Sequence, residues 1–208
     1  MKKILALTLC VLLLLALAGC GAPESAPSQE PEPSPSVGPS IVDESSTLHH
    51  VAIDIADYGT ITLELDSGAA PVTVANFLTL AGEGYYDGLT FHRIMEGFMM
   101  QGGAPKSIAD MADTIPGEFL MNGWDNPISH TRGVISMARA DHPDSASSQF
   151  FIVHQDSTFL DGAYAAFGHV TDGLEVVDAV CESSRPIDNN GTIPAEEQPV
   201  ITSLTVLD

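Results

Sequence analysis

Residues 50–55 (His-Val-Ala-Ile-Asp-Ile) and 60–65 (Thr-Ile-Thr-Leu-Glu-Leu) alternate apolar and polar positions. A period of two puts one face of each segment against a core and the other in water, so both are predicted strands. Asp57-Tyr58-Gly59 between them supplies the turn of a hairpin. Pro71 then opens a predicted helix at its first turn, where a missing N–H costs no intrahelical bond. Val74, Phe77, Leu78 and Ala81 follow at helical spacing, and Gly82 and Gly84 end the run. Short apolar segments begin near Leu89, Phe98, Gly133, Gln149 and Ala165, mostly separated by Gly, Pro, Asp or Asn. A second helix is predicted from about Gly173, with Leu174, Val177 and Val180 or Cys181 inward, and residues 199–207 form a last strand. Many short strands with only two helices predict an all-β sandwich or barrel with helical caps; the pattern does not choose between them.

The first 46 residues follow neither period. Lys2 and Lys3 precede an apolar run from Ile4 to Ala18 that is short for a membrane span. Leu17-Ala18-Gly19-Cys20 resembles the lipobox of bacterial lipoproteins. That resemblance implies a signal peptide over residues 1–19, cleavage before Cys20, and a diacylglycerol on the Cys20 thiol. Two acyl chains suffice for stable membrane anchoring where one does not. Residues 20–46 are rich in Pro, Ser, Ala and Glu without an apolar period, and are expected to be a disordered tether. Residues 47–208 are then one domain, long enough to bury a substantial core.

Charge narrows the partners. The chain carries a formal net charge of −21, and loss of Lys2 and Lys3 makes it more negative still. So acidic a protein is a poor partner for nucleic acid or anionic lipid heads. Of the three cysteines, Cys10 leaves with the signal and Cys20 is taken by lipid, so Cys181 has no partner for an intrachain disulfide. His49 and His50 are neighbours on a predicted strand and point to opposite faces. No metal site is expected, and neither a phosphate-cradling glycine loop nor a nucleophile elbow is present.

Polar residues inside apolar segments remain. Arg93 stands in a strand-like stretch, where it needs either a buried partner or a groove to face. Gln101 and Gln149 pose the same question. Phe98, Met99, Ala138, Phe151, Phe159, Leu160 and Tyr164, taken singly, each read as core residues before they read as pocket lining. An apolar concavity with a few converging polar groups is the usual form of a binding site.

The segments Phe91-His92-Arg93, Phe98-Met99-Met100-Gln101-Gly102-Gly103, Ser136-Met137-Ala138-Arg139-Ala140 and Ser147-Ser148-Gln149-Phe150-Phe151-Ile152 closely resemble the active-site strands of the cyclophilins. The resemblance implies a closed eight-stranded antiparallel barrel with a helix over each open end. It implies a peptidyl-prolyl cis-trans isomerase that uses no cofactor and no covalent intermediate, with Arg93 as its catalytic residue. By the same carry-over, Phe98 and Met99 line a proline pocket and Gln101 bonds the substrate backbone, while Gln149 and Phe151 match Q-F-F, Gln149 as a substrate-binding residue and Phe151 as the floor. Ala138 and Arg139 fall on the family's Ala-Asn pair, so a main-chain contact is implied and the side-chain part of that contact is altered. Phe159-Leu160-Asp161-Gly162 matches W-L-D-G with Phe for Trp, and Tyr164 stands where many relatives have His; the lost indole N–H implies weak cyclosporin inhibition. Expected clients are X-Pro segments of exported polypeptides, met by a monomer tethered outside the cytoplasm. A groove that only holds such segments is the competing reading.

Overall fold

The computed structural model describes residues 47–208; the expected signal peptide, Cys20 and the tether lie outside the described residues. The predicted hairpin forms from β1 (Leu48–Ile55) and β2 (Gly59–Asp66), paired antiparallel with Ile53 opposite Ile61 and His50 opposite Glu64. Their alternate residues Val51, Ile53, Ile55, Ile61, Leu63 and Leu65 are all buried. Helix α1 (Pro71–Gly82) buries Thr73, Val74, Phe77, Leu80 and Ala81. Leu78, expected inward, is only half-buried, because positions three and four beyond Phe77 share its face while the next position turns about 100° away. The start of α1 is tied down from a distance: the buried Glu118 carboxylate accepts from the N–H groups of Val72 (2.9 Å) and Thr73 (2.8 Å). Those donors have no partner inside the helix, and a negative charge suits that end of it.

Five further short strands and one helix lead to the last strand: β3 (Phe91–Met95), β4 (Met99–Gly102), β5 (Val134–Met137), β6 (Phe150–Val153), β7 (Ala166–Asp172), α2 (Leu174–Ser183) and β8 (Ile201–Val206). Helix α2 buries Val176, Val177, Val180 and Cys181. The strands form one curled antiparallel sheet in the order β3-β4-β6-β5-β7-β2-β1-β8. The expected closed barrel is therefore corrected to an open one. Its two end strands meet only at a single bridge, Thr90 to Val200, flanked by Phe91 N–H to Pro199 O (2.9 Å) and Ile201 N–H to Leu89 O (2.8 Å). Two local features stop the ladder there. Pro199 has no N–H to donate. The outer edge of β3 is already occupied by residues 191–193, through Ile94 N–H to Gly191 O (2.8 Å) and Ile193 N–H to His92 O (3.0 Å).

The two faces of the sheet hold different clusters. The main core gathers Phe77, Tyr86, Phe91, Phe150 and Phe167, with Phe77 and Tyr86 each edge-on to Phe150. A second cluster of Met99, Val134, Phe151, Val153, Leu160 and Ala166 lies on the other face. Along β6 the division is strict, Phe150 and Ile152 going to one cluster and Phe151 and Val153 to the other.

Candidate active site

Strand alternation alone would place Arg93 on the same face as Phe91, in the core. A register shift between Phe91 and Arg93, the mark of a β-bulge, prevents this: Phe91 and Ile94 both enter the core, and Arg93 turns to the second face. There it stands opposite Gln101 on β4, and Gln101 stands opposite Phe151 on β6. The three side chains form a row across three neighbouring strands.

A pocket of about 110 Å³ opens beside this row, lined by Arg93, Phe98, Met99, Gln101, Ala138, Arg139, Phe151, Leu160 and Tyr164. That is well below the roughly 300–1,000 Å³ of pockets for drug-sized ligands. It suits one ring or side chain, with the rest of a ligand running along the surface. The residues singled out in the sequence thus converge, with two exceptions. Gln149 stands behind the lining, where its Oε1 accepts from Gln101 Nε2 (3.1 Å). Phe159, which stands in place of the family's Trp, is 73% exposed and does not line the pocket; its ring lies 5.6 Å from that of Phe98, at the rim.

Arg93 is held by three hydrogen bonds, and its guanidinium carbon lies 6.0 Å from the centre of the Phe98 ring. Its Nε donates to the carbonyl of Asn190 (2.7 Å), Nη1 to Gln101 Oε1 (3.3 Å), and Nη2 to the Met95 sulfur (3.5 Å). The first of these was not legible in the sequence, since 97 positions separate the residues. Asn190 is itself fixed by Asp188, whose carboxylate accepts from the N–H groups of Asn190 (2.9 Å) and Thr192 (3.0 Å) and from the Thr192 hydroxyl (2.8 Å). Those bonds, led by the Thr192 N–H, hold the Asp188 carboxyl below its usual range. Gln101, bonded at both ends, presents its amide in one orientation, with one N–H and one lone pair to spare.

The floor has its own support. Phe151, 5% exposed, has Tyr164 edge-on to it (5.9 Å, 86°), and the ring of His130 lies stacked at 6.0 Å and 16°. Buried His130 bonds through Nδ1 to Asp161 Oδ1 (2.8 Å) and through Nε2 to Ser136 Oγ (3.0 Å). A carboxylate at Nδ1 assigns the proton there, leaving Nε2 to accept from the serine. Burial lowers the His130 pKa against the opposing pull of Asp161, so the ring stays neutral. The pKa of His92 on β3 is also lowered, by burial first and by the charge of Arg93 second. His130 carries no signal in the sequence, because its partners meet it only through the fold.

Arg139 also lines the pocket. Its guanidinium sits between the rings of Phe119 (5.1 Å) and Tyr164 (4.9 Å), donating from Nε to Ala163 O (3.0 Å) and from Nη1 to the carbonyls of Ala140 (2.8 Å) and Asp141 (3.2 Å). The Ala138 N–H is taken by the Gln149 carbonyl (2.9 Å). Among the described residues, no three His, Cys, Asp or Glu side chains are arranged to hold a metal ion.

This combination of an apolar, ring-sized pocket and an Arg-Gln-Phe row on a curled antiparallel sheet defines a class of protein, and comparison with known proteins gives the family. The sequence model of the cyclophilin type peptidyl-prolyl cis-trans isomerases matches residues 50–206. Peptidyl-prolyl cis-trans isomerase A of Dickeya dadantii is 42% identical over 143 residues, 66% of this chain and 74% of that protein. Peptidyl-prolyl cis-trans isomerase B of Bacillus subtilis is 46% identical over 121 residues, 58% of this chain and 82% of its own. A crystal structure of a cyclophilin type isomerase of Cryptosporidium parvum superposes with a TM-score of 0.66 at 27% identity, over 77% of this chain and 98% of that one. The chain belongs to the cyclophilin-type peptidyl-prolyl cis-trans isomerases.

Proposed function

We propose that the pocket receives the proline ring of an X-Pro segment and that Arg93 assists rotation of the preceding amide. The observation that carries this reading is the in-register row Arg93–Gln101–Phe151 bordering a ring-sized cavity. The Cryptosporidium relative has also been crystallised in the presence of the dipeptide Ala-Pro. Resonance gives an amide a rotational barrier of about 18–20 kcal/mol, and uncatalysed prolyl exchange takes roughly 10–100 s. At the twisted transition state the prolyl nitrogen regains its lone pair and accepts a hydrogen bond better than in either planar state. A guanidinium donating to it therefore stabilises the transition state selectively, which is the requirement for catalysis. A charge-assisted bond of about 1.5–3 kcal/mol supplies roughly one to two decades of rate. Phe151, Met99 and Phe98 hold the ring while the Gln101 amide bonds the peptide backbone, and no covalent step is needed.

The clients on this reading are exported polypeptides, because Cys20 carries the lipid that tethers a monomeric domain outside the cytoplasm. A mature chain whose N-terminal residue is anything but a lipidated Cys20, read by mass spectrometry, overturns the tether. The catalytic reading is tested by prolyl exchange in an Ala-Ala-Pro-Phe peptide. Arg93→Ala loses most of the activity, and Arg93→Lys regains little, since an ammonium cannot reproduce the fork that Asn190 and Gln101 orient. Near-native rates in either variant refute the role of Arg93. A folded wild-type domain that binds the peptide without accelerating exchange is a holding module instead.

A further inference from the structure

The described residues contain five of the seven Lys and Arg side chains of a chain whose formal net charge is −21. Arg132 is neutralised by a two-pronged pair with Asp178 (2.6 and 2.9 Å). Lys106 and Arg185 lie outside the pocket and donate to backbone carbonyls. The other two, Arg93 and Arg139, both line the pocket, and neither forms a salt bridge among the described residues. In a protein dominated by carboxylates, this one concavity carries two guanidiniums without counter-ions.

The two are not equivalent. The contacts of Arg93 aim it at the reacting amide. Those of Arg139 use Nε and both hydrogens of Nη1 on carbonyls and set the guanidinium over two rings, while Nη2 has no partner among the described residues. A staple for the 138–141 turn accounts for the carbonyl bonds and leaves the free Nη2 on a pocket-lining residue unexplained. A cation already immobilised loses little side-chain entropy when a ligand anion meets it. Charge complementarity at such a position acts on selectivity between partners more than on overall affinity.

We propose that Arg139 makes this groove selective for segments in which an Asp or Glu stands next to the proline. The idea rests on the isomerase reading of the pocket and extends it to a substrate class. Half-exposed charge pairs are each worth roughly 0.2–1 kcal/mol, so attraction of Glu together with repulsion of Lys amounts to roughly a twofold to thirtyfold ratio.

The test uses end-blocked peptides carrying Glu, Ala or Lys immediately before proline in one series and immediately after it in another. Exchange NMR gives kcat/KM for the wild type, Arg139→Gln and Arg139→Lys. The wild type should favour Glu over Lys in one series by the factor given. Arg139→Gln should bring that ratio below about twofold, and Arg139→Lys should keep most of it. Because the ratio is taken within one variant, a general loss of activity or stability cancels; a purely structural staple would slow all three peptides together. A ratio near one in the wild type, or the same ratio in Arg139→Gln, overturns the proposal. If the folded wild type isomerises none of the peptides, the catalytic reading fails by itself. The same ratios are then read as dissociation constants by titration, and loss of Glu preference in Arg139→Gln still supports the proposal while its absence overturns it.

Discussion

Replacing Gly191 by Ala should disable Arg93 without changing any atom that lines the pocket. Gly191 has φ +87°, and a Cβ there would lie 2.5 Å from Met95 Cγ and 2.8 Å from the carbonyl oxygen of Ile94. The side-chain contact can give way; the backbone one cannot without moving the loop. Moving the loop displaces the neighbouring Asn190 carbonyl, which holds Arg93 Nε at 2.7 Å. If Arg93 loses its aim at the amide, the forfeited charge-assisted bond of about 1.5–3 kcal/mol lowers kcat/KM roughly 10- to 150-fold. Left-handed backbone also costs Ala about 1–2 kcal/mol, whatever the packing. Gly123→Ala isolates that cost, since Gly123 has φ +83° and nothing within 4 Å of the added Cβ. Both variants should lose roughly 2–8 °C of melting temperature on strain alone, the steric clash adding to this at Gly191. Only Gly191→Ala should lose catalysis in the prolyl-exchange assay, with circular dichroism checking that it is folded at the assay temperature. Activity of Gly191→Ala within twofold of Gly123→Ala would refute the claim that this loop aims Arg93.

Two further outcomes concern stability. Glu118→Ala leaves the Val72 and Thr73 N–H groups unpaired at the start of α1; at about 1–3 kcal/mol each, the loss should reach roughly 2–6 kcal/mol by denaturant titration, and one below about 1 kcal/mol would show that water replaces the carboxylate. His92 and His130 have lowered pKa values in the fold, both mainly through burial, against about 6.5 in an unfolded chain. Below pH 6.5 the unfolded chain therefore binds protons that the native state refuses, so the stability these two histidines contribute is complete above that pH and lost below it. The denaturation midpoint should fall between pH 7 and pH 5, with a slope of up to about 1.4 kcal/mol per pH unit for each histidine, and fall less steeply in a His92→Gln, His130→Gln double variant. Equal slopes in the two proteins would remove these residues from the acid response.

What could be read from the sequence was set by how local its cause is. The hairpin of β1 and β2, the Pro71 helix start and the burial of Cys181 depend on neighbours in the chain, and period and turn chemistry carried them. Arg93 and Gln101 stood out because polar side chains on apolar strands need a reason. The bulge that turns Arg93 away from Phe91 left no mark in the pattern, which by itself would have buried Arg93 in the core. Glu118 is one carboxylate among many in the sequence, yet it is 2% exposed and caps a helix some 45 positions away. His130, Asp161 and Ser136 likewise have no joint signal in one sequence, because only tertiary structure brings them together.

The open sheet and the aimed arginine have one structural cause. A closed ladder would run β8 along the outer edge of β3, where residues 191–193 now take the hydrogen bonds of His92 and Ile94. That loop carries the Asn190 carbonyl, so completing the sheet would remove the acceptor that orients Arg93 Nε. The opposite side of the pocket is fixed without help from the seam. There Asp161 accepts from Ser129 Oγ (2.6 Å) and from the N–H (2.7 Å) and ring of His130. His130 supports Phe151 from behind, and the short 3-10 turn that precedes Asp161 carries Phe159 and Leu160, at rim and wall. Floor and wall thus share one hydrogen-bonded anchor, while the Arg93 side depends on a loop held by Asp188 and by its bonds to β3. The side chain that has to be aimed is held by the part of the fold that departs most from a regular barrel, because a regular edge would offer β3 a strand partner and leave Arg93 without its carbonyl.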